Sequence, residues 1–593
     1  MNQVTIRLQS MPDNFADRLA SLTLALQHAQ LDGFIQPVND EFQGEYTPDY
    51  AKRLEWISGF TGSAGAGLFL AHPIKNKQAI LFVDGRYTLQ AAQQVDTQQY
   101  TIINSMDAPL PQWLAAHLGA SDMRIGYDPW LHTEAQIRHW HQLVDKTSIK
   151  LIPLNKNPID GIWNDQPTPP LGAVTAHPLT YAGESIESKC AKIVQTLADQ
   201  HADAVLLALP DGINWLLNIR GDDIPYNPLL LSFALVDKSG GIRLITYERP
   251  FNWNAHYNKI NICNFNDLSY NCNVIFQNYS RVMMDPHTTA SWFFAHAREM
   301  GLDIIEHKDP TLMLKAIKNP VEMEGMRNAH ARDGKALSHL LEWLQSETIL
   351  RDVTELEVMD KLEQMRAQTG NLYRGPSFAT IAGAGEHGAI VHYHATQSSN
   401  RILGQGELFL LDSGGQYLDG TTDVTRTIAI GAPSGEMRER FTQVLKGHIA
   451  IATAIFPQGT SGSQLDALAR QYLWEAACDY DHGTGHGVGS FLCVHEGPQR
   501  ISKRGGDTPL QAGMVLSNEP GYYKTGEYGI RIENLVLVVE GPTGEDGRQF
   551  LQFETLTLAP LDESLIDHSL LTPKETQWLH EYQARVAANN RSA

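Results

Sequence analysis

The chain is poor in cysteine, in positive charge and in long apolar runs. Its five cysteines in 593 residues, Cys190, Cys263, Cys272, Cys478 and Cys493, form no CxxC pair and no regular framework. That argues against a disulfide scaffold and points to a reducing compartment. Lys and Arg number 46 against 67 Asp and Glu, a net charge of -21, so neither nucleic acid nor an anionic membrane is expected as a partner. No run of 18 or more apolar residues occurs, and the opening MNQVTIRLQSMPDNFADRL has no basic stretch followed by an apolar one. A cytoplasmic enzyme or binding protein, not membrane-inserted, is the expectation.

What is present is an ordinary globular composition, 42% hydrophobic and 19% charged, in a chain long enough for several domains of about 150 residues each. The first half carries a weak repeat. RLASLTLALQHAQ then DGFIQP, and CAKIVQTLADQHA then DAVLLA, each read as a helix followed by a strand, and each leads on to further apolar strands, AILFVDGRY and SFALVD…IRLITYE. Two related α/β domains are therefore predicted, residues 1–160 and 161–318. NPIDGIWNDQPTPPLGAVTAHP, rich in Pro and Gly, reads as the linker between them. Asn319-Pro320 opens a long amphipathic helix and a third domain, 319–593. GFTGSAGAG lacks the Gly-Lys-Ser/Thr ending of a phosphate loop and is assigned a turn or close-packing role.

The third domain concentrates the chemistry. In DHGTGHGVGSF, His482 and His486 have the spacing of a helical zinc site, but Gly483, Gly485, Gly487 and Gly489 make a helix implausible, at about 1 kcal/mol per interior glycine. Any other ligands must then come from distant strands. ELFLLDSGGQYLDGTTDVTRTIAI reads as a hairpin with a turn at Asp419-Gly420. Asp412 ends its apolar strand, as a turn former or as a buried charge that needs a cation, and Asp423 shares a strand face with Thr421, Thr425 and Thr427. Glu519 follows the strand MVLSN, and Glu533 lies opposite Ile530 and Ile532; each alone also fits a solvated face. Four carboxylates and one imidazole together suit Mn²⁺, Co²⁺ or another hard divalent ion, and that much negative charge favours two ions over one.

LLDSGGQYLDGTTDVTRT, GTGHGVGSFLCVHEGP, SNEPGYY and GIRIEN resemble the metal-ligand motifs of the pita-bread metallopeptidases. With SGFTGSAG, DGRYTLQAA, NWLLNIRGDDIPYNP and GAIVHY, the chain is similar over nearly its whole length to the long three-domain Xaa-Pro aminopeptidases of the aminopeptidase P type. The resemblance implies a mixed α/β and α+β fold, two creatinase-like α/β domains followed by a pita-bread catalytic domain. It implies Asp412, Asp423, His486, Glu519 and Glu533 as ligands of two divalent ions per subunit, Mn²⁺ first with Co²⁺ or Zn²⁺ as alternatives, and Asp423 and Glu533 as the bridges. It makes His392, His482 and His495 the substrate-side histidines; His394 is left as an ordinary histidine, and Glu519, a ligand with a free lone pair, is expected to carry the proton from the water to the leaving nitrogen. The nucleophile is expected to be the water bridging the ions, and the substrates peptides with proline second. A homodimer is implied as well. The competing expectations are a prolidase restricted to Xaa-Pro dipeptides and a non-catalytic pita-bread peptide-binding protein.

Overall fold

The computed structural model describes residues 14–251, 259–268 and 273–591. Cys272 and the first 13 residues, on which part of the leader reading rests, lie outside them. Among the described residues no helix is long and apolar enough to cross a membrane.

The weak repeat corresponds to two six-stranded sheets of identical topology. The first runs Tyr100–Asn104, Lys77–Val83, Ala66–Ile74, Gly33–Pro37, Met123–Tyr127, Ile149–Pro153; the second runs Ile260–Asn264, Ile242–Thr246, Phe233–Asp237, Ala204–Leu207, Arg281–Met284, Asp303–Glu306. In each, the first strand in sequence sits fourth across the sheet, antiparallel to one neighbour and parallel to the other. The preceding helices, Phe15–His28 and Ile186–Asp199, bury Leu19, Leu22 and Leu26 in one case and Cys190, Ile193 and Leu197 in the other. The expected linker has little regular structure but is not free in solvent. Ile159 and Trp163 are buried in the first core, and Trp163 stacks on Trp56 with centroids 5.1 Å apart. Apolar side chains in the Pro/Gly-rich stretch outweigh its loop composition.

The helix predicted after Asn319 spans Pro320–Leu350, capped by Asn319, whose Oδ1 accepts from the Val321 and Glu322 N–H groups, with Glu322 returning a bond to the Asn319 N–H. It packs against the C-terminal helix Pro573–Arg591. Beside it lie a sheet of Ile381–Ala384, Glu407–Ser413 and Val424–Ile430, and a six-stranded sheet ordered Ile455–Pro457, Gln549–Thr555, Asn534–Thr543, Val515–Asn518, Gly485–Gly487, Glu496–Ile501. The cores are continuous between units: the second domain's core takes in Phe42 of the first and Leu492 of the third.

Candidate metal centre

Glu407–Ser413 and Val424–Ile430 pair antiparallel with Asp412 opposite Thr425. The predicted hairpin thus exists, but the segment between its strands folds into a second small ladder, Gly415–Tyr417 against Gly420–Thr421. Asp423 consequently sits just before its strand rather than within it, with Asp412 inside the partner strand; both are buried. From the other sheet, Val515–Asn518 ends immediately before Glu519, and Glu533 occupies the break between Tyr528–Arg531 and Asn534–Thr543, where its N–H donates to the Thr425 carbonyl. His486 lies in the strand Gly485–Gly487, so the glycine-rich stretch is extended, as the rejection of a helix required. The glycines allow backbone approach: a Cβ on Gly485 would lie 2.0 Å from the Ser517 carbonyl oxygen.

Five side chains from strands and strand ends therefore converge. Ligand atoms of Asp412, Asp423 and Glu533 lie within 4.8 Å of one another, as do those of His486, Glu519 and Glu533. A third such group joins Asp423, His486 and His495. Asp423, Glu533 and His486 each belong to two of the groups. The His486 Nδ1 and the Gly487 carbonyl lie 2.9 Å apart; an Nδ1–H donating there leaves the Nε2 lone pair facing Asp423 at 3.4 Å and Glu519 at 3.6 Å.

The local electrostatics suits a cation. Burial pushes Asp412 up to about 6 against the pull of Arg531, whose Nη2 donates to Asp412 Oδ2 at 2.7 Å. Burial also raises Glu519, and raises Glu533 well above the usual carboxylate range with help from the Asp423 charge. His486 is raised to about 9: burial opposes its charge, but Asp423 and Glu519 prevail. Among the described residues, Asp412 Oδ1 and Glu533 Oε1 are buried without a hydrogen-bond partner. Buried acceptors are rarely left so, and two orphaned carboxylate oxygens pointing into one acidic cluster fit divalent ions held between them.

The other histidines surround this cluster. His392 lies in a turn; His394 is exposed and belongs to none of these groups. The His392 Nδ1 meets the Tyr87 hydroxyl at 2.7 Å, which meets Ser63 Oγ at 2.8 Å, and Ser63 donates to Glu45 Oε1 at 3.3 Å. The other oxygen of Glu45 holds His495 Nδ1 at 2.6 Å. His482 Nε2 meets Tyr523 Oη at 2.8 Å, and Tyr523 accepts from Arg531 at 2.7 Å. Burial lowers His482 to about 3 and takes His392 well below the imidazole range, with the Arg86 and Arg531 charges reinforcing the effect on His392. Both rings are neutral at pH 7. Sequence reasoning assigned no role to Glu45, Ser63, Tyr87, Tyr523 or Arg531. Signals existed for all but Glu45: Ser63, Tyr87 and Tyr523 lie inside the matched motifs SGFTGSAG, DGRYTLQAA and SNEPGYY, and Arg531 alternates with Ile530 and Ile532 and so shares a face with Glu533. Ser63 lies in the glycine-rich stretch assigned a turn role, which Gly59 fulfils with φ 80° at a helix end.

The family model of metallopeptidase family M24 matches residues 324–540, and that of the C-terminal region of the same peptidases matches 549–591. The creatinase/prolidase N-terminal domain matches twice, over 18–158 and 165–322. The chain is 38% identical to a probable Xaa-Pro aminopeptidase P of Paracoccidioides brasiliensis, over 96% of this chain and 95% of that one. It is 38% identical to a protein of the same description from Aspergillus niger, with the same coverage. The crystal structure of X-prolyl aminopeptidase from Caenorhabditis elegans, described as a cytosolic enzyme with a di-nuclear active site, superposes with a TM-score of 0.91 at 33% identity, covering 98% of this chain and 96% of that one. A Bacillus anthracis Xaa-Pro dipeptidase shares the fold at 24% identity and TM-score 0.50, but its near-complete chain (99%) covers only 64% of this one. From one end to the other, this chain belongs to the M24 metallopeptidases, as a three-domain member of the Xaa-Pro aminopeptidase P family.

Proposed function

We propose that the protein is a metal-dependent aminopeptidase that removes the N-terminal residue from peptides with proline in second position. The carrying observation is the buried cluster of four carboxylates and one imidazole, with two orphaned carboxylate oxygens, in a chain matched over its whole length by relatives named for that activity. Asp412, Asp423, His486, Glu519 and Glu533 would hold two divalent ions, with Asp423 and Glu533 as the shared ligands. Bound there, Mn²⁺, or alternatively Co²⁺ or Zn²⁺, supplies Lewis acidity toward water and the scissile carbonyl.

The chain's own groups do the rest. Glu519, which accepts from Ser517 at 3.1 Å and is raised in pKa by burial, takes the proton of the attacking water and passes it to the proline nitrogen. His392, His482 and His495 border the cluster and hydrogen-bond the substrate and the tetrahedral intermediate. The Xaa-Pro bond has no N–H, so a site that recognises the free N-terminus and the pyrrolidine ring, rather than that donor, selects it. We place the enzyme in the cytoplasm as a homodimer, with the domain division 1–160, 161–318 and 319–593.

The test is hydrolysis of an Xaa-Pro-Xaa tripeptide beside an Xaa-Pro dipeptide by metal-stripped protein, with Mn²⁺, Co²⁺ and Zn²⁺ returned singly. Tripeptide cleavage restored by metal is expected. Activity confined to the dipeptide supports a prolidase, and a protein that binds peptide but neither metal nor cleaves it supports the non-catalytic reading.

A further inference from the structure

The loop from Val488 to Val494 joins His486 to His495, and part of its support comes from another domain. Arg220 lies in the strand Ile219–Gly221 of the second α/β domain and is 4% exposed. Its Nη2 donates to the Ser490 carbonyl at 3.0 Å and its Nε to the Phe491 carbonyl. Its Nη1 donates to Ile219 O at 2.7 Å, with Asn214 O at 3.5 Å. Every acceptor it meets is a main-chain carbonyl, and among the described residues it forms no salt bridge. A buried guanidinium with no carboxylate in contact is unfavourable, and main-chain carbonyls that meet its planar donors offset part of that cost.

What it holds is a residue in an unfavourable conformation. Phe491 is buried and has φ 50°, in the left-handed region that bulky side chains avoid. Its ring lies 5.5 Å from the Arg220 guanidinium carbon and 5.7 Å from the ring of His177, both from the second domain. The next carbonyl, of Leu492, accepts from Gln416 Nε2 at 2.7 Å, while the Leu492 N–H donates to Thr421 Oγ1 at 3.3 Å. Gln416 and Thr421 belong to the small ladder between Asp412 and Asp423. The carbonyls of residues 490, 491 and 492 are thus all taken, two of them by a single side chain from outside the catalytic domain.

We propose that Arg220 is a positioning residue: by holding the strained turn at Phe491, the second α/β domain sets where His495 stands beside the metal cluster. The proposal rests on the aminopeptidase reading, because it concerns the placement of a histidine for that reaction. Glu45 of the first domain grips His495 directly and Arg220 of the second grips the loop that leads to it. The two non-catalytic domains therefore act on one side chain.

The experiment compares the full chain with Arg220→Met, His495→Ala and the double variant, each loaded with Mn²⁺. Arg220→Met is expected to keep the metal content of the wild type, to lower kcat on an Xaa-Pro-Xaa tripeptide about 10–100-fold and to leave KM within about threefold. The double variant is expected to be no slower than His495→Ala alone, since a residue acting through His495 has nothing further to lose once that ring is gone. Should Met at position 220 prevent folding, Arg220→Lys, which keeps the charge but not the fork of donors, is read in the same way. Wild-type kcat in a folded Arg220 variant, loss of metal from it, or multiplicative losses in the double variant would overturn the proposal. A wild-type protein that fails to cleave the tripeptide overturns the functional reading instead.

Discussion

Crowding four carboxylates around one imidazole in a buried space is unfavourable without cations, and the raised carboxyl groups of Asp412, Glu519 and Glu533 register it. Neighbouring side chains orient these carboxylates. Thr425 Oγ1 donates to Glu533 Oε2 at 2.8 Å and accepts from Arg531 Nε at 3.1 Å. Thr425→Val keeps the shape and removes both bonds, so metal affinity or activity should fall about 10–100-fold; an unchanged metal titration would contradict that role. Asp40 is a buried carboxyl with a different task. Its Oδ1 accepts from Phe42 N at 3.0 Å and Gly44 N at 3.1 Å, shaping the turn that leads to Glu45, and burial raises it to about 7. A carboxyl raised in the folded state binds its proton more tightly there than in the unfolded chain. Its contribution to stability is therefore present below about pH 4 and lost as pH rises to about 7. Asp40→Asn retains the Oδ1 acceptor and cannot ionise, so its Tm relative to the wild type should be higher at pH 8 than at pH 4. An equal offset at both pH values would count against this account.

Secondary elements were legible where a local rule decided them. Asn319-Pro320 followed by Glu322 is a complete helix start, and the helix begins there. Asn319→Ala removes the cap and the bond from Nδ2 to the Ala182 carbonyl at 2.8 Å. It should cost about 1–2 kcal/mol, measured by denaturant unfolding with the m-value held constant. The apolar run LFLL ending at Asp412 and the alternating VTRTIAI marked both strands that carry Asp412 and Thr425. The small ladder between them was not legible, because its register depends on the Pro320–Leu350 helix it packs against: a Cβ on Gly325 would lie 2.2 Å from the Asp419 carbonyl oxygen.

The three domains meet at the site, and the first reaches into it. Glu45, Ser63 and Tyr87 form one chain of hydrogen bonds ending on His392 and His495. Burial alone would raise Glu45, but His495 beside it holds its carboxyl far below the usual range. The charge is therefore retained, and the imidazole is oriented by it. Glu45→Gln should leave metal content and Tm near wild type while lowering kcat about 10–100-fold, as expected for a misplaced substrate-side group. A variant with full kcat would show that His495 is placed without it.

The sequence by itself determined the residue types of the proposed ligand set, their order along the chain, the doubled α/β repeat and the extended state of the glycine-rich stretch, because each depends on side-chain chemistry or on contacts a few residues apart. Only the tertiary structure decided that Asp412 and Glu533 keep unpartnered oxygens, that Arg531 stands on Asp412, and that Glu45 and Arg220, 450 and about 270 residues from their partners, complete the surroundings of His495. Such pairings arise from the packing of whole domains, and a single residue's neighbours in sequence carry no trace of them.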